Sequence, residues 1–250
     1  MIKNIVSISH LQKNYQDNTL EIKAIDDISF TVEKGKFISI VGPSGCGKST
    51  LLSILASLEQ ASSGSISFAD PNIRIGYMLQ NDSLFPWRTI LDNCLLGLEL
   101  YHEVTEENKN YVISLLKMYG LGEFMDKYPD SLSGGMRQRA ALIRTLAIRP
   151  DILLLDEPFS ALDAMTRLAL AEDVYKMIKQ SGKTVLMVTH DLGEAVSLSD
   201  EVVVLTKRPC TIKKIYSIEF PISSTPMENR KNSQFNVYYG KIWRDLDVHI

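Results

Sequence analysis

One short stretch of this sequence, GPSGCGKST at Gly42–Thr50, restricts the possible folds more than any other. It fits the pattern G-x-x-x-x-G-K-[ST], in which glycines let the backbone wrap around a phosphate group and point its N–H groups inward. The pattern requires a strand before it and a helix after it. The apolar run Phe37–Val41 and the helical pattern Lys48–Leu58 predict both. The stretch therefore predicts a phosphate-binding loop in an α/β domain.

The rest of the chain alternates strand and helix patterns. Wholly apolar runs are typical of central strands in a parallel sheet covered on both faces, and they occur at Ile152–Leu155, Val185–Val188 and Val202–Leu205. Helical patterns lie between them, which predicts an α/β layered fold. Near the N-terminus, β-rich runs broken by turn residues such as Asp17-Asn18 predict an antiparallel start; they are Ile5–Ile8, Ile22–Ile25 and Ile28–Val32.

The middle of the chain differs from both flanks. It has helical patterns at Ile90–Leu98, Glu106–Tyr119 and Met136–Ile148, without a convincing strand. We predict one domain over residues 1–250, with a catalytic α/β lobe at 1–83 and 150–208 and an inserted helical lobe at 84–149. A C-terminal tail at 209–250 is expected to hold a strand pair after Pro209, the loop ISSTPMENRKNSQ and a final helix, Phe235–Leu246.

Composition excludes several classes of protein. The net charge is −3 and no run of five or six basic residues occurs, which argues against a nucleic-acid partner. Three cysteines, an odd number with no zinc or disulfide spacing, favour a reducing, cytoplasmic setting. The N-terminal stretch lacks the apolar core of a signal peptide, and no stretch reaches about 18 apolar residues. If the protein works at a membrane, we expect another chain to hold it there.

The apolar run ILLLDEP, Ile152–Pro158, ends in two acids. Asp156 is placed to hold Mg²⁺ through water, and Glu157 to polarise an attacking water as a general base. The competing interpretation is a strand that ends at a polar loop, where acids are common. The phosphate-binding loop favours the first interpretation, because P-loop hydrolases need an acid on a neighbouring strand.

Two further polar residues follow apolar strands. His190 ends TVLMVTH and is placed to sense a γ-phosphate, whereas a lone histidine there is usually a satisfied loop residue. Gln80 follows the strand-like run Ile75–Leu79 and is placed to reach a metal or a water, although Gln is common in loops. Within the loop itself, Lys48 is expected to reach the β- and γ-phosphates and Ser49 to bind Mg²⁺.

A second helix opens on LSGGMRQR, from Leu132. A helix that starts after Ser-Gly-Gly offers unpaired backbone N–H groups and the positive end of its dipole to an anion. The chain thus has two helix N-termini suited to phosphate.

Taken in order, these motifs resemble those of ABC transporter ATPase subunits over nearly the whole chain. The set comprises the Walker A loop GPSGCGKST, the Q-loop at Gln80, the signature LSGGMRQR, the Walker B run ILLLDEP, the D-loop SALD at Ser160–Asp163 and the switch His190. The resemblance implies a P-loop NTPase ABC-ATPase fold with a RecA-like parallel-sheet core, an N-terminal antiparallel β-subdomain and an inserted α-helical subdomain. It implies ATP hydrolysis, with ATP and Mg²⁺ as ligands.

The resemblance also implies why two anion sites are needed. Subunits of this family pair head to tail, and each ATP lies between the Walker A loop of one copy and the signature of the other. It implies that Glu157, His190 and Lys48 are catalytic and that Ser49, Gln80 and Asp156 bind the metal. The residues it implies for nucleotide binding are Tyr15, which stacks on adenine, Gly42, Pro43, Ser44, Gly45, Cys46, Gly47, Lys48, Ser49, Thr50, Gln80, Ser133, Gly134, Gly135 and Asp163.

Two positions qualify this assignment. Met136 stands where many members carry Gln, so this side chain is expected to make no polar contact with the nucleotide. Tyr15 has a competing interpretation, in which the ring simply packs at the edge of the sheet.

The functional alternatives differ in the partner on which the ATPase acts. The first is a transport ATPase that drives separate membrane subunits, and the second is a soluble ABC ATPase of DNA maintenance or translation. The second class typically carries a long coiled-coil insertion or two cassettes, which this chain lacks. A small-molecule P-loop kinase has no use for LSGGMRQR or SALD. Because no membrane segment is fused to the cassette, we predict an importer built from separate subunits. The resemblance implies a homodimeric ATPase, peripheral on the cytoplasmic face of the membrane, with transmembrane permease subunits and, indirectly, a solute-binding protein.

Finer similarity points to a branch of the importers. NDSLFPWRTILDNC, SALDAMTR and the tail residues Arg208-Pro209, Phe235 and Ile242-Trp243 resemble the nitrate/sulfonate/taurine branch. The cluster Leu84–Trp87 has two interpretations that the sequence leaves open. It is either an exposed apolar surface for a helix of a membrane subunit or a hydrophobic staple inside the helical lobe.

Overall fold

Five parallel strands form the centre of the fold. In the computed structural model, which describes residues 4–16, 21–221 and 224–246, they are β3 (Phe37–Val41), β5 (Ile75–Met78), β6 (Ile152–Asp156), β7 (Thr184–Val188) and β8 (Glu201–Leu205). Their spatial order is β8-β3-β7-β6-β5, and each adjacent pair is parallel. The acid-bearing β6 is therefore not the neighbour of β3 that we expected from the sequence, because β7 lies between them.

Side chains alternate between the two faces of this sheet. Phe37, Leu153 and Val185 pack into a cluster with the helices on one face. Their chain neighbours Ile38, Leu154 and Leu186 pack on the opposite face, in a second cluster that contains helix α1 (Lys48–Leu55). Every residue of β3, β6 and β7 is buried, as expected of strands covered on both sides. The predicted parallel core is confirmed.

Antiparallel strands from the N-terminal segment extend the sheet on the side of β8. β1 (Asn4–Gln16) pairs with β2 (Glu21–Glu33) and with β4 (Ser63–Phe68). With β9 (Cys210–Ser217) between β2 and β8, the full order is β4-β1-β2-β9-β8-β3-β7-β6-β5. The two runs predicted at 22–25 and 28–32 are one continuous strand, because Asp26 and Asp27 stay in extended backbone. β4 was not predicted, since half-exposed SGSISF lacks an apolar run. The turn predicted at Asp17-Asn18 lies outside the described residues.

Three longer helices fill the segment between β5 and β6. They are α2 (Ile90–Leu100), α3 (Glu106–Met118) and α4 (Gly134–Ala147). Thr89, Thr105 and Ser133 cap them by accepting from the backbone N–H three residues on. Together with α5 (Ala164–Ser181) they share the apolar cluster on one face of the sheet, so the lobe boundaries at 84 and 149 stay a prediction. No helix in the described ranges combines the length and apolarity needed to span a bilayer.

The C-terminal tail departs most from expectation. One strand, β9 (Cys210–Ser217), stands where a strand pair was predicted, and it joins β8 to β2 across the sheet. The predicted loop 222–234 contains a helix, α7 (Pro226–Lys231), which starts at a capping box formed by Thr225 and Glu228. A final helix, α8 (Ser233–Asp245), packs on α6 (Leu192–Leu198). The Thr-Pro-x-Glu pattern was the missed helix signal.

Candidate functional site

The phosphate-binding loop joins β3 to α1. Gly45 and Gly47 have φ of 68° and 124°, a region that residues with a Cβ rarely adopt. A Cβ on Gly47 would also lie 3.2 Å from Cys210 Sγ and 3.3 Å from the Ala24 carbonyl oxygen. No side chain of the described residues caps α1, so the N–H groups of its first turn remain available to an anion.

Lys48 points back into the loop. Its side chain is buried, and its Nζ donates to the carbonyl oxygens of Gly42 at 2.8 Å and Pro43 at 3.0 Å. These contacts hold a positive charge at the mouth of the loop. A phosphate group bound in the loop would meet an ammonium already in place.

Asp156 ends β6 beside the loop and is 3% exposed. Its Oδ1 is buried with no hydrogen-bond partner. Burial raises the pKa of Asp156, while hydrogen bonding with the nearby Ser49 hydroxyl acts in the opposite direction. An unpaired buried carboxylate oxygen next to a hydroxyl is an oxygen donor set of the kind that Mg²⁺ prefers, so these residues fit the predicted metal.

Glu157 follows Asp156 in strained backbone. Its φ is 49°, uncommon for a residue other than glycine, and its N–H donates to the Val188 carbonyl at 2.9 Å. This kink turns the carboxylate toward two other predicted site residues. Oε2 lies 3.2 Å from His190 Nδ1 and accepts from Gln80 Nε2 at 3.3 Å. The structure therefore brings Glu157, His190 and Gln80 together at the carboxyl ends of neighbouring strands.

The signature residues lie at the exposed start of α4. Ser133 accepts from the Met136 N–H at 3.3 Å, and both Ser133 and Gly134 are exposed. A Cβ on Gly135 would lie 2.7 Å from Leu162 Cδ2, so glycine permits close packing against the D-loop. Met136 packs against the apolar core. Among the described residues, no hydrogen bond or ion pair joins Ser133–Gly135 to the loop at Gly42–Thr50.

Gln138 is a site residue that sequence reasoning missed. It is buried in α4, and its Nε2 donates to the Glu157 carbonyl at 3.0 Å and, at 3.4 Å, to Ser160 Oγ. Its Oε1 accepts from the Ala161 N–H at 3.0 Å. One amide thus connects the signature helix, the D-loop and the strained turn at Glu157. The only signal was a polar residue on the apolar face of α4.

The two remaining predicted residues have structural contacts of their own. Asp163 caps α5, accepting from Met165 N at 3.1 Å and Thr166 N at 3.0 Å, and hydrogen bonds from Thr166 lower its pKa. The hydroxyl of Tyr15 donates to Glu59 Oε2 at 2.7 Å and lies 3.3 Å from Thr50 Oγ1, which places the ring beside α1. Contacts of either residue with a nucleotide stay a prediction.

Replacing Asp156 with Asn is expected to stabilise the nucleotide-free protein. Because burial raises the pKa of Asp156, the ionised carboxylate destabilises the fold above the usual carboxyl pKa, and the protonated form does not. Asp156→Asn should raise the free energy of unfolding by about 1 kcal/mol at pH 7. The gain should fade as the pH drops through the raised pKa of Asp156, and it should be absent below the usual carboxyl pKa. Guanidinium titrations at pH 7 and at a pH below the usual carboxyl pKa measure it.

The matched control is Asp173→Asn on the exposed face of α5, which should change stability by less than about 0.5 kcal/mol. A loss of stability in Asp156→Asn at pH 7 would contradict the assignment of a buried, unpaired charge.

Comparison with known proteins gives consistent matches. A sequence profile described as "ABC transporter" matches residues 25–160. YtlC of Bacillus subtilis, named as an uncharacterized ABC transporter ATP-binding protein, is 45% identical over 250 residues, covering 98% of this chain and 96% of that protein. The nitrate import ATP-binding protein NrtD of Synechococcus elongatus is 42% identical over 205 residues, 79% of this chain and 75% of that one.

Solved structures agree with the sequence matches. The ATP-binding cassette MJ0796, a dimer in a post-hydrolysis state bound to ADP and phosphate, aligns with a TM-score of 0.78 and 30% identity. The alignment covers 86% of this chain and 100% of the MJ0796 chain.

Proposed function

The chain belongs to the ATP-binding subunits of ABC transporters and hydrolyses ATP, and from that premise we propose that it powers the uptake of a small solute through separate membrane subunits. Relatives named as import ATP-binding proteins for nitrate, aliphatic sulfonates and bicarbonate match at 37–45% identity. They support an importer whose solute belongs to this group of small anions.

The observation that supports the proposed catalytic roles is the cluster around Glu157. Glu157 accepts a proton from the attacking water, and His190, 3.2 Å from its carboxylate, contacts the γ-phosphate. Lys48 neutralises charge on the β- and γ-phosphates from its place in the loop. Ser49, Asp156 and Gln80 would hold Mg²⁺, which supplies further charge neutralisation when bound. Tyr15 stacks on the adenine beside α1.

We further propose that two copies of the chain enclose ATP between them. The signature residues Ser133 and Gly134 are exposed at a helix N-terminus, a site suited to anions, yet they make no contact with the loop of their own chain in the described residues. A second copy placed head to tail brings them to the γ-phosphate. The relative MJ0796, whose solved structure is a dimer bound to ADP and phosphate, supports the formation of a dimer. Gln138, which contacts both the D-loop and the Glu157 carbonyl, would then transmit the closing of the dimer to the turn at Glu157.

The surface for the membrane subunit is proposed to be the segment Leu84–Trp87. Leu84 is buried and anchors the segment, while Trp87 is 71% exposed and stacks on Phe85 with ring centroids 5.0 Å apart. Buried Asn93 holds the turn, accepting from Phe85 N at 2.7 Å and donating to its carbonyl at 3.1 Å. Each of the two interpretations thus applies to a different residue of the cluster. Leu84 acts as the hydrophobic staple, and Trp87 offers the exposed apolar surface.

Transmission follows from these positions. ATP-driven closure moves the helical lobe proposed at residues 84–149, and the lobe moves the permease subunits at the cytoplasmic face of the membrane. The solute-binding protein acts through the permease alone.

Trp87→Ala tests the coupling to membrane subunits. In proteoliposomes that contain the membrane subunits and the binding protein, ATP-driven uptake of nitrate, a sulfonate or bicarbonate should fall about tenfold, as expected for loss of an aromatic interface residue. ATP hydrolysis by the isolated subunit should stay unchanged, because the Trp87 side chain is exposed and does not belong to the apolar core. Trp243→Ala, also an exposed tryptophan, is the matched control. Equal uptake by both variants would refute the proposed surface.

A further inference from the structure

The C-terminal helix α7 is fixed in a groove between α5 and α6. Its residue Asn229 is buried and donates to the Ser197 carbonyl at 2.8 Å. The Met227 N–H donates to Glu172 Oε2 at 3.1 Å, which joins α7 to α5. Ser224 donates to Asn229 Oδ1 at 2.6 Å, so the approach to the helix is held as well. The tail is therefore packed onto the catalytic lobe.

This packing places the Arg230 guanidinium over the first turn of α6. A Cβ built on Gly193 would lie 2.8 Å from Arg230 Nη1 and 2.9 Å from Asp191 Oδ1. The cation and the carboxylate thus flank the same glycine, and a side chain at position 193 would push the guanidinium away. Arg230 Nε is buried with no hydrogen-bond partner, and the guanidinium lies 6.0 Å from the ring of Phe235.

The first turn of α6 carries two acids near this charge. Glu194 is 4% exposed, and Asp191 caps the helix by accepting from Glu194 N at 3.0 Å. Burial raises the pKa of Glu194, and the Thr189 hydrogen bond opposes this more strongly than the charge of either Arg167 or Arg230 does. Arg167 contacts both acids, with Nη1 3.3 Å from Asp191 and Nε 3.8 Å from Glu194. In the described residues Arg230 forms no ion pair with either acid, but it adds a second positive charge beside this turn.

The same turn holds the segment that contains His190. The Thr189 hydroxyl donates to Glu194 Oε2 at 2.7 Å, and the Asp191 N–H donates to Thr189 Oγ1 at 3.0 Å. Both neighbours of His190 are thus tied to α6, while its own ring is largely exposed beside Glu157. The ring has few other contacts to fix it, so its position depends on this turn.

We infer that Arg230 is a positioning residue for ATP hydrolysis: from the C-terminal tail it holds the first turn of α6, and through that turn it keeps His190 beside Glu157. The inference rests on the proposed role of His190. It assigns the tail a part in turnover, without contact between the tail and the nucleotide.

Arg230→Ala should lower kcat for ATP hydrolysis about tenfold, since small displacements of a catalytic group cost this much or more. KM for ATP should change less than about twofold, because Lys48 and the loop are untouched. Arg230→Lys should recover part of the rate. Gly193→Ala should lower kcat as well, because it displaces the guanidinium while keeping its charge. Lys231→Ala, which removes an exposed charge from the same helix, is the matched control and should behave as wild type.

A double-mutant cycle with His190→Ala separates positioning from general stabilisation. Single-turnover rates at excess protein keep slow variants measurable. In the His190→Ala background, Arg230→Ala should add less than about a twofold loss, because the residue through which it acts is gone. An equal loss in both backgrounds, or a normal kcat for Arg230→Ala, would overturn the inference. Normal turnover by His190→Ala alone would instead refute the proposed role of His190. Melting temperatures identify a variant that fails to fold, and Arg230→Lys and Gly193→Ala then carry the test.

Discussion

Glu157→Gln lowers the rate of ATP hydrolysis by about 10²–10⁴-fold and leaves ATP binding intact, if Glu157 is the general base. Glutamine has the same shape, so the strained turn with φ of 49° is unaffected. Its amide oxygen still accepts from Gln80, but it no longer takes a proton from water. The carboxylate now lies 3.2 Å from His190, and its loss removes the base without removing the Lys48 charge from the loop.

The measurement combines two readouts on one sample. Initial rates of phosphate release give the loss of turnover, and light scattering after size exclusion gives the mass with and without Mg-ATP. We expect a monomer that becomes a dimer only when ATP is present, because trapped ATP keeps the two copies closed. Glu123→Gln, an exposed acid at a distance from the cluster, should retain the wild-type rate. Near-normal turnover by Glu157→Gln would refute its role as base.

Ser133→Arg, introduced into the Glu157→Gln chain, should abolish the ATP-dependent dimer. Ser133 is exposed, so a larger side chain fits the isolated subunit, but its charge and bulk would occupy the space of the partner's γ-phosphate. ATP should still bind at Lys48 in the monomer. In the otherwise wild-type chain, hydrolysis should fall by at least about 10²-fold, because neither site is completed.

The matched control for this variant is Ser133→Ala. Both substitutions remove the hydrogen bond from Met136 N to the Ser133 hydroxyl, a cap worth about 1 kcal/mol. Only arginine adds bulk and charge. Dimers with Ser133→Ala and none with Ser133→Arg support the cross-paired site. A full dimer with Ser133→Arg and ATP would show that the signature does not face the partner's nucleotide.

Local pattern was sufficient for the centre of the site. The apolar runs of β3, β6 and β7 could be read from the sequence because wholly buried strands leave no polar position. Parallel strands also align their carboxyl ends, so the polar residues that follow them had to meet at one edge of the sheet. For this reason the neighbourhood of Asp156, Glu157 and His190 was predictable.

Contacts between distant segments were not predictable in this way. Nothing in the pattern of α4 states that Gln138 reaches the Glu157 carbonyl, and nothing in the tail states that Arg230 lies over Gly193. The sequence did not indicate that β9 pairs with β2, because that pairing joins segments far apart in sequence. Periodicity records which face of an element is buried, but it does not record which element covers that face.

Residue types and their spacing therefore specify which groups are available: the loop predicted to bind phosphate, the acids beside it, the signature helix and the family they define. How these groups are held depends on the packed structure. The unpaired Oδ1 of Asp156, the kink that aims Glu157 at His190 and the arginine that the tail supplies all depend on burial and packing. The physical reason is that residue type and local spacing set which groups can react, whereas desolvation and position arise only when distant segments pack together.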